Sequence, residues 1–127
     1  MIEKIEHVAI LVSDMGKAET FYGEVLGLEL AAKRQFGGTK IDFYRVGESL
    51  LELIQRAEPP KEPISDGLGT RHICLRAADI QAICERLRAK GVEVPDPKEI
   101  SAGVKNVFLK DDDGTSIELW EGPSPKD

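Results

Sequence analysis

Apolar and polar positions change period several times along the chain, and each change marks an element. Ile2 to Val12 is rich in Ile and Val, and from Val8 onward apolar side chains occupy both alternation faces, which predicts a strand covered on both sides. Ser13 and Asp14 then offer N-cap oxygens. Ala18, Phe21, Tyr22, Val25 and Leu26 recur at the i, i+3, i+4, i+7, i+8 spacing of one helix face, predicting an amphipathic helix that stops at Gly27. Three strands are predicted next: Leu28 to Phe36, Thr39 to Val46 after the Gly37-Gly38 turn, and Ser49 to Gln55 after Gly47-Glu48. The order is βαβββ, over residues 1–56.

Residues 57–69 hold Pro59, Pro60 and Pro63 among charges and glycines, a composition that cannot pair in a central strand and reads as a linker. Beyond it the order recurs over residues 70–122, with 123–127 as a tail. Thr70 to Ala77 predicts a strand, and Asp79 an N-cap. Ile80, Ile83, Cys84 and Leu87 form a helix stripe ending at Gly91. Val92 to Val94, Val104 to Leu109 and Thr115 to Trp120 predict three further strands, the last two joined by the acidic turn Asp111-Asp112-Asp113-Gly114.

The repetition reaches individual residues. His7-Val8-Ala9-Ile10 aligns with His72-Ile73-Cys74-Leu75, and Asp14 with Asp79, both at an offset of 65 (72 minus 7, 79 minus 14). Leu51-Glu52-Leu53 aligns with Ile117-Glu118-Leu119 at an offset of 66 (118 minus 52). A single domain made of two such modules follows, and a duplicated unit predicts a pseudo-twofold axis with a shared site near it.

Composition narrows the partners. Lys and Arg number 17 against 23 Asp and Glu, a formal charge of -6, which excludes nucleic acid as the main partner, because phosphate neutralisation needs a basic surface. The longest uncharged apolar run, Val8 to Val12, is far below the roughly 18 residues of a membrane span, and no signal-like start is seen; a cytoplasmic protein is expected. Cys74 and Cys84 show neither metal-type nor redox-type spacing and are expected to be reduced, partly buried thiols.

Duplication singles out four residues: the only two histidines, His7 and His72, on equivalent first strands, and Glu52 and Glu118 on equivalent last strands. Singly, a strand histidine reads as structural and a strand glutamate as solvent-facing. Together, two imidazoles and two carboxylates form a donor set suited to one divalent ion such as Ni, Co, Zn, Mn or Fe(II). Each glutamate stands between apolar neighbours, where an unpaired carboxylate costs several kcal/mol.

These residues, with Phe21-Tyr22, Leu26-Gly27-Leu28 and Asp113-Gly114-Thr115-Ser116-Ile117-Glu118-Leu119, resemble the vicinal oxygen chelate superfamily, which includes glyoxalase I, methylmalonyl-CoA epimerase, bleomycin-binding proteins, fosfomycin-resistance proteins and extradiol dioxygenases. The resemblance covers nearly the whole chain. It implies an α+β fold in which two βαβββ modules form an eight-stranded, incompletely closed barrel around a divalent metal held at His7, Glu52, His72 and Glu118. A homodimer and a small substrate with vicinal oxygens are also implied.

An intact four-residue set argues against the metal-free binding proteins, and a glutamate at position 52, where the epimerase generally carries Gln, leans towards glyoxalase I. The implied reaction is proton transfer next to a carbonyl, with Glu52 or Glu118 as the base and the metal stabilising an enediolate. Epimerisation of a coenzyme A ester and non-catalytic drug binding are the alternatives. Bacterial glyoxalase I commonly has an arginine four residues after the first histidine; here that position is Leu11, which puts glutathione in doubt as co-substrate. The repeat-equivalent Arg76 shares alternation with His72 and is a candidate for an anionic substrate group. Asn106 and Tyr44 fall on strands expected to line the cup, without an assigned role, and Trp120 shares alternation with Glu118.

Overall fold

The structure, a computed structural model, describes every residue except 63, 65, 66 and 127. The predicted linker and tail therefore lie partly outside the described residues. The chain divides into two units, residues 1–63 and 64–127. The first carries β1 (His7–Leu11), a helical segment, β2 (Glu29–Phe36), β3 (Thr39–Val46) and β4 (Ser49–Gln55); the second carries β5 (Ile73–Arg76), α2 (Ile80–Ala89), β6 (Lys98–Ser101), β7 (Val104–Lys110) and β8 (Ser116–Glu121). Both are βαβββ modules, and the α+β class is borne out.

Each module folds into one mixed four-stranded sheet, in the order β1-β4-β3-β2 in the first and β5-β8-β7-β6 in the second. The first strand runs parallel to the last in each, as a helical crossover requires, and the remaining pairs are antiparallel hairpins. The last strand of each module is thus central and has a neighbour on both sides.

Alternation divides each sheet into two faces. On one, Ile10, Val12, Tyr44, Leu51 and Leu53 are buried together with Met15, Ala18, Phe21, Tyr22 and Val25 of the helical segment. The corresponding core of the second module holds Val107, Leu109, Ile117 and Leu119 with Ile80, Cys84 and Leu87 of α2. The opposite face carries the candidate chemistry.

The two helical elements start alike. Asp14 and Asp79 are extended N-caps whose side chains accept from Lys17 N and Ala82 N, each at 3.0 Å, worth about 1 kcal/mol apiece. A second oxygen reaches each start from the end of the central strand: Gln55 Oε1 accepts from Met15 N, and Glu121 Oε1 from Ile80 N. After this start they diverge. α2 is α-helical throughout, whereas α1 (Met15–Ala18) passes into a π-helical segment, Glu19–Val25, closed by Leu26 N donating to Phe21 O five residues back. The wider turn brings the consecutive Phe21 and Tyr22 both inward, and Gly23 lies where a Cβ would stand 3.4 Å from the Tyr44 ring. Gly27 and Gly91 end the two helical elements at positive φ, as their sequence positions predict.

Three expectations are corrected. The first strand begins at His7, not Ile2; residues 1–6 are exposed and carry Glu3, Lys4 and Glu6, and Lys4 is tied to the Glu48 carbonyl. The strand predicted from Thr70 is shorter, so that His72 immediately precedes β5. Val92 to Val94 is not a strand: Val92 N closes the helix end on Leu87 O, and the strand lies instead at Lys98–Ser101. Among the described residues β6 pairs only with β7, and all four of its residues are exposed, so no hydrophobic period marks it.

Buried charge also separates the modules. Asp42 is only 3% exposed on the helix-side face of β3, next to Lys33, which is paired with Glu19 of the π-helical segment. Burial first, and then its hydrogen bond with the Glu19 carboxylate, push Asp42 up to about 6. The cross-strand registers place Val107 at the equivalent position of the second module.

Candidate metal centre

The open face of the first sheet presents His7, Ala9 and Leu11 from β1 beside Glu52 and Ile54 from β4, with Ala9 directly opposite Glu52. Phe43 on β3 stands opposite Glu52 on its other side. His7 Nε2 lies 3.6 Å from Glu52 Oε1, and the imidazole meets the Phe43 ring edge-on at 6.2 Å.

The second sheet repeats the arrangement. His72, Cys74 and Arg76 share a face with Glu118 and Trp120, Cys74 stands directly opposite Glu118, and Phe108 lies across from Glu118 on β7. His72 Nε2 is 3.0 Å from Glu118 Oε1, and the imidazole meets Phe108 edge-on at 5.2 Å. In each module a histidine and a glutamate far apart in sequence are therefore brought together by the parallel pairing of first and last strand, their side chains flanked by an aromatic ring. The histidine side chains remain 44% and 36% exposed, and the glutamates 15% and 10%. One partner of each pair thus faces outward while the carboxylate is largely shielded from water.

The donor chemistry of each pair suits a divalent ion, while no group of three or more His, Cys, Asp or Glu side chains placed to hold one is found among the described residues. Two ligands each about 2.1 Å from a common centre, at angles between about 90° and 120°, stand about 3.0–3.6 Å apart, the range both pairs occupy. Nitrogen from imidazole and oxygen from carboxylate suit a borderline or hard metal, and each glutamate sits on a central strand whose backbone is fixed by hydrogen bonds on both sides.

Further residues join the second pair. Asn106 Nδ2 donates to Glu118 Oε2 at 3.0 Å, which gives Asn106 a place beside the candidate ligands. Cys74 stands opposite Glu118 on the neighbouring strand; partial desolvation of its sulfur, followed by the charge of Glu118, pushes the thiol up to about 11. Cys74 is exposed and Cys84 fully buried, rather than both being partly buried. Alternation with His72 was a signal for Cys74, and the cross-strand position opposite each glutamate was one for Phe43 and Phe108. Tyr44, by contrast, is 3% exposed on the helix-side face and does not share the face of Glu52. Arg76 Nη2 donates to the Gly122 carbonyl at 2.7 Å, and Trp120 Nε1 to the Pro123 carbonyl at 3.2 Å. Leu11, where an arginine was sought, is an exposed apolar side chain.

Known proteins share both sequence and architecture. The family described as Glyoxalase/Bleomycin resistance protein/Dioxygenase superfamily matches residues 4–119. A probable lactoylglutathione lyase of Synechocystis sp. is 31% identical, covering 95% of this chain and 97% of the relative. Among solved structures, a glyoxalase family protein from Enterococcus faecalis superposes with a TM-score of 0.79 at 28% identity, over 94% of this chain and 98% of that one. An antibiotic-binding protein from a Streptomyces species superposes with a TM-score of 0.75 at 26% identity, over 96% of each chain.

Proposed function

The chain belongs to the glyoxalase/bleomycin resistance protein/dioxygenase superfamily, and from that premise we propose that it is a divalent-metal-dependent lyase or isomerase of the glyoxalase I type. The observation that carries the reading is the duplicated His–Glu pair, at 3.6 Å in one module and 3.0 Å in the other, on strands that correspond residue for residue. The relative named as a probable lactoylglutathione lyase supports the class of reaction. In the proposal His7, Glu52, His72 and Glu118 together hold one ion, within one chain or across two copies of a homodimer acting in the cytoplasm.

When bound, the ion supplies Lewis acidity to two adjacent oxygens of the substrate. The residues do the rest. His7 and His72 anchor the site through their imidazole nitrogens, and Phe43 and Phe108 hold those rings in orientation. A carboxylate of the set takes the proton from the carbon next to the carbonyl and returns it to the neighbouring carbon, giving isomerisation, or to the opposite face of the same carbon, giving epimerisation. Arg76 is proposed to meet an anionic substrate group, with one of its nitrogens anchored on the Gly122 carbonyl. Leu11 supplies no cation for a glutathione carboxylate, so thiol adducts of methylglyoxal other than that of glutathione are included in the substrate range.

The test is turnover of methylglyoxal with a panel of thiols, and of methylmalonyl-CoA, after chelation and after addition of Ni, Co, Zn or Mn. Activity lost with chelator and restored by metal is expected; protein that neither turns over nor binds any of these ions contradicts the reading. A second reading, sequestration of a small molecule without turnover, is favoured by the structural similarity to the antibiotic-binding protein. It predicts ligand binding indifferent to chelator.

A further inference from the structure

One buried carboxylate lies on the face of the first sheet away from the candidate ligands, wholly within that module. Asp42 is 3% exposed, and its Oδ2 accepts no hydrogen bond among the described residues. Lys33, its cross-strand neighbour on β2, brings its ammonium to 3.7 Å from that oxygen while pairing directly with Glu19 Oε2. Glu19 is the residue at which α1 passes into the π-helical segment, so one ammonium joins a carboxylate of the sheet to a carboxylate at the start of the widened turn. Burial, followed by the hydrogen bond with Glu19, raises Asp42 to about 6, whereas the hydrogen bond from Lys33 holds Glu19 below the ordinary carboxylate range. Lys40 and Tyr44 of β3 are the other titratable groups acting on this cluster among the described residues; Leu53, opposite Asp42 on β4, is apolar and fully buried.

We propose that Glu19, Lys33 and Asp42 form a proton-operated clasp, which fastens the start of the π-helical segment to the sheet while Asp42 carries a proton and loosens it when that proton passes to solvent. With the proton in place the cluster holds one carboxylate and one ammonium and is neutral. Without it, two carboxylates share one ammonium, and the added charge falls on a residue whose Oδ2 is shielded from water and accepts no hydrogen bond. Burial of a charge so placed is strongly disfavoured. Relief comes from the helical side: Asp42 and Lys33 are held on paired strands, whereas Glu19 stands at the junction of two helical geometries and can move off to admit water. In the second module the position equivalent to Asp42 is Val107 and α2 is α-helical throughout, so the device belongs to the first module.

Amide hydrogen exchange tests this, read as protection relative to an unstructured chain so that the intrinsic pH dependence divides out. Leu26 and Leu28, whose N–H groups close the segment on the Phe21 and Tyr22 carbonyls, are expected to lose about tenfold in protection between about pH 5 and 7.5, while Val92, which closes α2 on the Leu87 carbonyl, loses less than about twofold. Asp42→Asn keeps the shape and a donor of the neutral acid and is expected to abolish the loss. Lys33→Gln removes the cation that favours ionisation and is expected to raise the midpoint of the loss by at least about half a pH unit; Glu19→Gln removes the like charge and is expected to lower it by as much. The two Gln variants decide the matter even if Asp42→Asn fails to fold. Protection of Leu26 and Leu28 that stays constant with pH, an equal loss at Val92, a loss that persists in Asp42→Asn, or midpoints that do not move apart in the Gln variants overturns the proposal.

Discussion

In the first module the buried face of the sheet carries Asp42, and on the open face the contact found for Glu52 among the described residues is His7; in the second the buried face has Val107 at the equivalent place, and Glu118 meets both His72 and Asn106. Asp42 against Val107 and Ala9 with Ile41 against Cys74 with Asn106 mark the same two places in a duplicated frame. The frame tolerates both because strand pairing and the apolar core on the helix side are common to them. What differs is confined to side chains whose neighbours are set by register. A duplicated fold can thus keep its architecture and a matching His–Glu pair while the side chains around that pair diverge between the two halves.

The largest test of this comparison is on the shared core. Leu53 and Leu119, each one residue after a glutamate, are 0% and 2% exposed. Leu53→Ala and Leu119→Ala are each expected to cost about 3 kcal/mol in urea unfolding. A cost confined to one of them breaks the equivalence of the two cores.

Asp42→Val puts the residue of the second module into the first. Because the folded state holds Asp42 protonated up to about 6 while the unfolded chain ionises near the ordinary value of 3.8, the unfolded state binds fewer protons between these limits. The contribution of Asp42 is fully present below about pH 4 and is lost as pH rises through about 6. The lowered Glu19 acts in the opposite sense, and together with solvent screening reduces the net effect to about 1 kcal/mol. Asp42→Val is expected to gain that amount at pH 8 and to flatten the slope between pH 4 and 6; a slope unchanged by the substitution places its origin elsewhere.

The smallest difference lies at the helix starts, where the module that uses Glu121 has a charge and the one that uses Gln55 does not. Glu121→Gln is expected to cost about 0.5 kcal/mol at low salt and nearly nothing at 1 M salt, since a carboxylate gains from the N-terminal end of the helix only where it is unscreened. A loss independent of salt reduces Glu121 to a neutral acceptor.

Much of this was legible in the sequence, for identifiable reasons. Thr39–Val46 and Ser49–Gln55 match to the residue because glycine turns bound them and both alternate between a buried and an open face. Asp14 and Asp79 are legible as caps because a short acceptor followed by an apolar stripe has one reading. β6 was not legible: an edge strand with every residue exposed leaves no period. The π-helical turn was hidden as well, since the stripe Ala18, Phe21, Tyr22, Val25 fits a 3.6-residue period and carries no mark of the wider turn. At the site, His7, Glu52, His72 and Glu118 stood out because duplication marks them twice. Cys74 and Asn106 did not, because what places them beside Glu118 is strand register, which is not written in either strand alone.

The measurement that bears most directly on the central claim is the stoichiometry of Co(II) binding to the intact protein, followed by absorption titration and elemental analysis. The proposed sharing of one ion by both His–Glu pairs predicts one ion per chain, with affinity lowered about tenfold or more by His7→Ala and by His72→Ala alike. Two ions per chain, each lost with one histidine and indifferent to the other, or no bound ion at all, would contradict it.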